Sequence, residues 1–166
     1  MRVSVATPVD MEALGARVAS RLAAGDLVAL DGPLGAGKTT FTRGLGAALG
    51  VRGPVTSPTF VLARTHPRLD GPPLVHVDAY RLSSAAELDD LDLDVDGSIV
   101  VVEWAAGMVD GLADSWLEIG IARPAGGASS PDAGEPEAGR PDAEEPIEPR
   151  EVTITGHGPR FADFRL

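Results

Sequence analysis

LVALDGPLGAGKTTFTRGLGAAL, residues 27–49, decides the architecture of this chain. LVALD (27–31) is an apolar run of strand length, and a glycine-rich turn follows it directly. Residues 38–49 then repeat with helical spacing, placing Phe41, Leu45, Ala48 and Leu49 along one expected buried face. Gly32, Gly37, Lys38 and Thr39 satisfy G-x-x-x-x-G-K-[ST], a pattern that a chain of this length meets by chance about once in a couple of hundred cases. The strand before it and the helix after it supply the context a phosphate-binding loop requires. Glycines let successive N–H groups turn inward around an anion, at a helix start where negative charge is favoured. On that reading Gly32, Leu34, Gly35, Ala36, Gly37 and Thr40 line the cradle. Lys38 brings an ammonium to the β- and γ-phosphates, and the Thr39 hydroxyl ligates Mg²⁺. Lys38 is also the only lysine among fourteen basic side chains. Arginine's larger planar fork does not suit a cradle sized for an ammonium, so the one retained lysine marks the position where the two residues differ chemically.

Such a loop needs a carboxylate at the end of a neighbouring strand to hold the metal. Glu103 closes the apolar run SIVVVE (98–103), where such an acid is expected. Asp78, late in LVHVDAY (74–80), is its rival. Period two puts His76, Asp78 and Tyr80 on one face of that strand and Val75, Val77 and Ala79 on the other, so the polar face looks onto the site. Thr59, in TSPTF, either senses the γ-phosphate and its metal, as switch segments do, or makes a simple turn. Trp104 reads as packing ahead of base stacking. His76 reads as a satisfied sheet histidine, and His66 and His157 as surface residues in loops.

The rest of the chain alternates strands and helices, which predicts an α/β fold, three layers deep, with a largely parallel central sheet. RVSV (2–5) is a short strand. Thr7 caps a helix with Pro8 at its first position and Asp10 in its first turn; Leu14, Val18 and Leu22 form its stripe, and Gly25 ends it. TFVLART (59–65) and LVHVDAY are two strands joined by a Pro/Gly loop. Ser84 and Glu87 open an acidic helix carrying Leu88, Leu91, Leu93 and Val95. WLEIGIA and EVTIT alternate as strands and form an added antiparallel C-terminal pair. Between them, residues 124–149 hold seven acids and one arginine amid Pro, Ala and Gly, a composition expected to stay disordered. The expected organisation is therefore a core of 1–123, an acidic insert of 124–149, and a strand and tail, 150–166, completing the core.

Composition narrows the function. Among 166 residues the net charge is −11, which argues against a broad nucleic-acid surface, and there is no cysteine, so disulfides are excluded. The N-terminal residues lack a signal-peptide pattern and no apolar run reaches membrane-spanning length, so a cytoplasmic protein without a membrane partner is expected. N-K-x-D guanine recognition is impossible with one lysine placed elsewhere, which favours an adenine nucleotide. A small-molecule kinase would close an arginine-bearing lid over the phosphates where this chain has its acidic insert. Hydrolysis coupled to conformational change is the better reading. The kinase and a nucleotide-dependent scaffold with little turnover remain the alternatives.

GPLGAGKTTFTRGLGAALG, SPTFVL, HVDAYRL and VVVEW, in this order and spacing, resemble the bacterial TsaE (YjeE) family. The resemblance covers about residues 5–122 and the final strand. It implies a weak, Mg²⁺-dependent ATPase that supports threonylcarbamoyl transfer to adenosine 37 of tRNA. It further implies TsaB and TsaD as partners, with tRNA reached only through the complex and the transfer chemistry belonging to TsaD. Position by position, it makes Lys38 the phosphate lysine, Thr39 and Glu103 the metal residues, and Thr59 the switch threonine. It makes Asp78 the residue that positions water, and gives Trp104 a place beside the nucleotide. Lys38, Asp78 and Glu103 are then the catalytic set. Arg43 and Arg81 are the nearest candidates for an arginine acting in cis. Ala105 stands where the family usually has proline, and the acidic insert is not part of the resemblance.

Overall fold

The computed structural model describes residues 1–58, 60–123 and 148–166. In chain order the elements are β1 (Arg2–Val5), α1 (Pro8–Ala19), β2 (Leu27–Asp31), α2 (Lys38–Leu49), β3 (Ala63–His66), β4 (Leu74–Asp78), α3 (Ala85–Asp89), β5 (Ile99–Glu103), β6 (Trp116–Ala122) and β7 (Arg150–His157). They build an α/β fold around one seven-stranded sheet in the order β1-β7-β6-β2-β5-β4-β3. The four central strands β6, β2, β5 and β4 run parallel. Antiparallel strands close both edges: β3 against β4 on one side, β7 between β6 and β1 on the other.

Side-chain alternation makes two cores. Val28, Leu30, Ile99, Val101 and Ile119 face α1 and α2, meeting Met11, Leu14, Val18, Phe41, Leu45 and Leu49. Leu27, Ala29, Val75, Val77, Val100 and Val102 face the other way, under Leu88 of α3 and the irregular segments that follow it. Every residue of β4 and β5 is buried, as expected of strands covered on both faces. α1 and α2 approach so closely that a Cβ on Gly44 would run into the Glu12 carbonyl, and one on Gly15 into the Phe41 carbonyl. α2 departs from the expected stripe: Thr42, Gly44 and Gly46 are buried, Gly44 against α1 and Gly46 against Val51, Val55 and Leu74, and Ala48 is exposed.

Local hydrogen bonding moves other boundaries. α1 ends at Ala19, capped by the Ser20 N–H, well before Gly25, whose N–H bonds the Ser98 carbonyl at 2.9 Å. TFVLART is a strand only from Ala63. The N–H groups of Val61 and Leu62 both bond the Pro58 carbonyl at 2.9 Å, making a turn that leaves Phe60 93% exposed. The acidic helix is the five residues of α3. Ser84 accepts from the Glu87 N–H, but Glu87 accepts from Ser83, and the left-handed φ of 49° at Asp92 prevents a longer helix. Leu91, Leu93 and Val95 still pack on the second core from outside it. His66 lies in β3 and is buried. His157 ends β7, stacked on Trp116 at 4.6 Å and hydrogen-bonded to Glu118 at 2.6 Å, rather than lying free in a loop. β6 and β7 pair in the expected antiparallel register, Ile119 opposite Ile154. Of the acidic insert, residues 124–147 lie outside the described residues.

Parallel pairing of β2, β5 and β4 brings their C-terminal ends to one edge of the sheet. Leu30 is opposite Glu103, and Glu103 is opposite Asp78. Ligand crevices of open α/β sheets form at this edge.

Candidate functional site

β2 runs into residues 32–37, and these run into α2 without a polar cap. Gly37, the N-cap residue, has φ 111° and ψ 17°, a left-handed conformation that glycine adopts freely. Gly37 has no side chain to cap α2, and no acid stands in the first turn of the helix. The first N–H groups of a helix have no partner within it, so those of α2 point out of its start, at the positive end of its dipole.

Lys38 is buried, 5% exposed, in that first turn. Its Nζ donates to the carbonyls of Gly32 at 2.7 Å and Pro33 at 3.1 Å, and lies 3.4 Å from the centroid of the Trp104 ring. Burial lowers its pKa from the ordinary lysine value, opposed by the charges of Glu103, Asp31 and Asp78. The indole is held there by an unusual backbone. Trp104 has φ 61°, and its N–H bonds the Leu30 carbonyl at 2.8 Å, stitching the exit of β5 to the end of β2. Tyr80 packs against the same indole, with ring centroids 5.0 Å apart.

The two rival acids meet in one place. Glu103 is 3% exposed and accepts a hydrogen bond from Thr39 Oγ1, 3.0 Å to Oε1 and 3.3 Å to Oε2. His76 Nε2 lies 2.7 Å from the same Oε1. Asp78, 4% exposed, accepts from the Tyr80 N–H at 3.0 Å and from the Ser57 hydroxyl at 3.4 Å. Leu34, Gly35, Ala36, Gly37, Lys38, Thr39, Thr40, Ser57, Asp78, Glu103 and Trp104 together line a cleft of about 320 Å³. A second hollow, of about 290 Å³, shares Gly35, Ala36, Gly37 and Thr40 with it and continues past Val5, Thr7, Met11 and Arg150.

The structure thus brings together every candidate the sequence offered except four. Gly32 does not line the cleft but reaches the site through its carbonyl, on Lys38. Thr59 lies outside the described residues. Arg43 pairs with Glu12 of α1 at 3.2 Å, and neither it nor Arg81 is among the cleft-lining residues. Two groups were missed. His76 is the satisfied sheet histidine expected, but its partner was not foreseen: it is completely buried against Glu103. Ser57 joins Asp78 from a segment with no regular structure. The polar face His76–Asp78–Tyr80 was the only sign of the first, and nothing in the sequence announced the second.

Comparison with known proteins places the chain in a family. The sequence profile described as "Threonylcarbamoyl adenosine biosynthesis protein TsaE" matches residues 5–128. A Streptomyces coelicolor protein named tRNA threonylcarbamoyladenosine biosynthesis protein TsaE is 54% identical over 156 residues, covering 92% of this chain and 94% of its own. Proteins of the same name from Mycobacterium tuberculosis (51% identical; 69% and 74% covered) and Bacillus subtilis (35%; 93% and 84%) are also similar. The crystal structure of Bacillus subtilis YdiB superposes with a TM-score of 0.65 at 28% identity, over 95% of this chain and 86% of that one. From the glycine-rich loop to the strands that carry Asp78 and Glu103, one match spans the whole cleft, and the chain belongs to the TsaE family of tRNA threonylcarbamoyladenosine biosynthesis proteins.

Proposed function

We propose that the chain is a Mg²⁺-dependent ATPase. In this reading it acts with the TsaB and TsaD proteins of threonylcarbamoyladenosine biosynthesis, supporting threonylcarbamoyl transfer to adenosine 37 of tRNA and meeting tRNA only through that complex. One observation carries the reading: Lys38, Thr39, Asp78 and Glu103 converge on a cleft at the uncapped start of α2. The residues fit a triphosphate. The amides at the start of α2 and the Lys38 ammonium supply donors beside the cleft, and the adjoining hollow of about 290 Å³ offers room for a nucleoside. They also fit Mg²⁺. Thr39 and Glu103 offer hard oxygen atoms 3.0 Å apart. Among the described residues no cluster of three or more His, Asp or Glu could hold an ion unaided. Mg²⁺ suits such a site, because it takes one or two protein oxygens and completes its shell with water and phosphate.

The ion, when bound, neutralises charge on the β- and γ-phosphate oxygens. The chain's own groups do the rest. Lys38 leaves the Gly32 and Pro33 carbonyls for the phosphates, its ammonium adding to the positive start of α2 as charge develops on the transferring group. Thr39 keeps its O–H on Glu103 while turning a lone pair toward the cleft. Asp78, held through Oδ1 by the Tyr80 N–H, is the carboxylate left to orient an attacking water and take its proton. Among the described residues the arginines nearest the loop are Arg123, whose guanidinium lies against Gly35, and Arg150 in the adjoining hollow, and neither is among the residues lining the cleft beside Lys38. Leu34, which lines the cleft, and Tyr80, which packs on the Trp104 indole, are 84 and 65% exposed, apolar surface at the site suited to a protein partner.

Phosphate release from ATP, measured for the chain alone and with TsaB and TsaD, tests this. Slow turnover that rises with the partners is expected. Rapid turnover alone, or none in any combination, contradicts it. A second arm separates the scaffold reading: if Asp78→Asn abolishes hydrolysis while tRNA modification continues, occupancy rather than turnover serves the pathway.

A further inference from the structure

We propose that His76 is a positioning residue for the metal site: it locks the Glu103 carboxylate so that one oxygen is directed into the sheet and the other is presented to Mg²⁺. The inference rests on the reading of Glu103 as a metal-holding residue. β4 and β5 are parallel neighbours in which Asp78 is opposite Glu103 and His76 opposite Val101. His76 therefore stands two residues before the acid's own partner, on the same face, and its ring reaches Glu103 diagonally. Nε2 lies 2.7 Å from Oε1. The ring is completely buried, and the other nitrogen, Nδ1, has no hydrogen-bond partner among the described residues. A carboxylate oxygen accepts hydrogen bonds, so Nε2 of this ring is the donor to Oε1. The neighbouring imidazole of His66, 6.5 Å away between centroids, packs the ring from the edge of the sheet.

The two oxygens of Glu103 are consequently unlike. Oε1 receives the His76 N–H and the shorter contact from Thr39, 3.0 Å; Oε2 receives only the longer one, 3.3 Å. Oε2 is the oxygen with lone pairs to spare. Without the imidazole, a carboxylate on a three-bond side chain would turn about its last torsion, and both oxygens would compete for the Thr39 hydroxyl. Groups that fix a metal-binding side chain in this way set metal affinity nearly as strongly as the ligands do.

The test separates this role from a purely structural one and from the metal assignment itself. Calorimetric titration of the full chain with ADP, in Mg²⁺ and in EDTA, gives the Mg²⁺-dependent gain in affinity. In His76→Leu that gain is expected to shrink, the apparent Mg²⁺ affinity falling by about 10–100-fold, with the metal-free ADP affinity little changed. His76→Gln, whose amide N–H₂ reaches the Nε2 position, restores most of the gain, whereas the shorter His76→Asn does not. Glu103→Gln reports on the metal reading. If wild type shows no Mg²⁺-dependent gain, or Glu103→Gln keeps it, that reading falls and this proposal falls with it. If wild type and Glu103→Gln behave as expected but His76→Leu retains the full gain, the proposal alone is overturned. Imidazole ¹⁵N–¹H correlation spectra of the unmutated chain give a reading that no folding defect can confuse. A proton on Nε2 of His76 is expected, and one on Nδ1 with Nε2 bare contradicts the proposal.

Discussion

α1 and α2 are both twelve residues long and lie against each other on the same face of the sheet, yet they begin in opposite ways. The start of α1 satisfies itself. Thr7 accepts from the Asp10 N–H at 3.1 Å, and Asp10 returns the bond by accepting from the Thr7 N–H at 3.0 Å. Pro8 sets the first turn, and the Asp10 carboxylate faces the positive end of the dipole. The start of α2 has glycine where α1 has threonine, lysine and two threonines where α1 has an acid, and no internal cap. A helix that spends its N-terminus on its own stability has none left for a ligand, and α2 gives up that stability. What holds α2 is its other end and its flank. Gly50 closes it in a left-handed cap, and Gly44 lets it press against α1.

The largest expected effect comes from the chemistry that only the α2 start supports. Asp78→Asn should lower ATP hydrolysis by about 10²–10⁴-fold while equilibrium nucleotide binding is kept, as steady-state rates and calorimetry together would show. Making α2 begin as α1 does comes next. Thr40→Asp places a carboxylate in the first turn of α2, where it supports the helix but repels phosphate. ATP affinity should fall at least about tenfold with no loss of thermal stability. Should ATP bind as before, the uncapped start is not the anion site. Gly44→Ala attacks the packing the two helices share: with Glu12 backbone in the way, unfolding in denaturant should show a loss of about 1–3 kcal/mol. The smallest effect belongs to the self-capped helix. Asp10→Ala should cost about 0.3–1 kcal/mol of stability and leave nucleotide affinity as it was.

The same two helices show what the sequence exposes and what it hides. Both starts were legible, because capping and the glycine-lysine-threonine pattern are local chemistry, spelled within four to eight residues. The strand ends carrying Asp78 and Glu103 were legible too, Glu103 because an acid stands out at the close of an apolar run and Asp78 because alternation along LVHVDAY sets a polar face against an apolar one. The face of α2 was less so. Ala48 fits an apolar stripe, but the buried face includes Gly44 and Gly46, glycines whose importance lies in what they pack against. The burial of His66 and the partner of His76 were hidden for the same reason. Each is buried by pairing between strands, and the Glu103 that His76 meets is 27 residues away. The turn that frees Phe60 depends on one carbonyl, of Pro58, accepting two N–H groups, a geometry that β-rich spelling such as TFVL conceals. Trp104 combines both cases. Its left-handed backbone, enforced by the Leu30 carbonyl, is invisible in VVVEW, and that backbone puts the indole on Lys38.

Equilibrium binding of Mg²⁺-ATP to the purified chain, compared between the unmutated protein and Lys38→Ala, tests the central claim most directly. Saturable binding of one nucleotide per chain, weakened at least about tenfold by the loss of the single lysine, is the predicted result. No binding by the unmutated chain, or equal binding by both, would contradict the assignment of the α2 start as a nucleotide site.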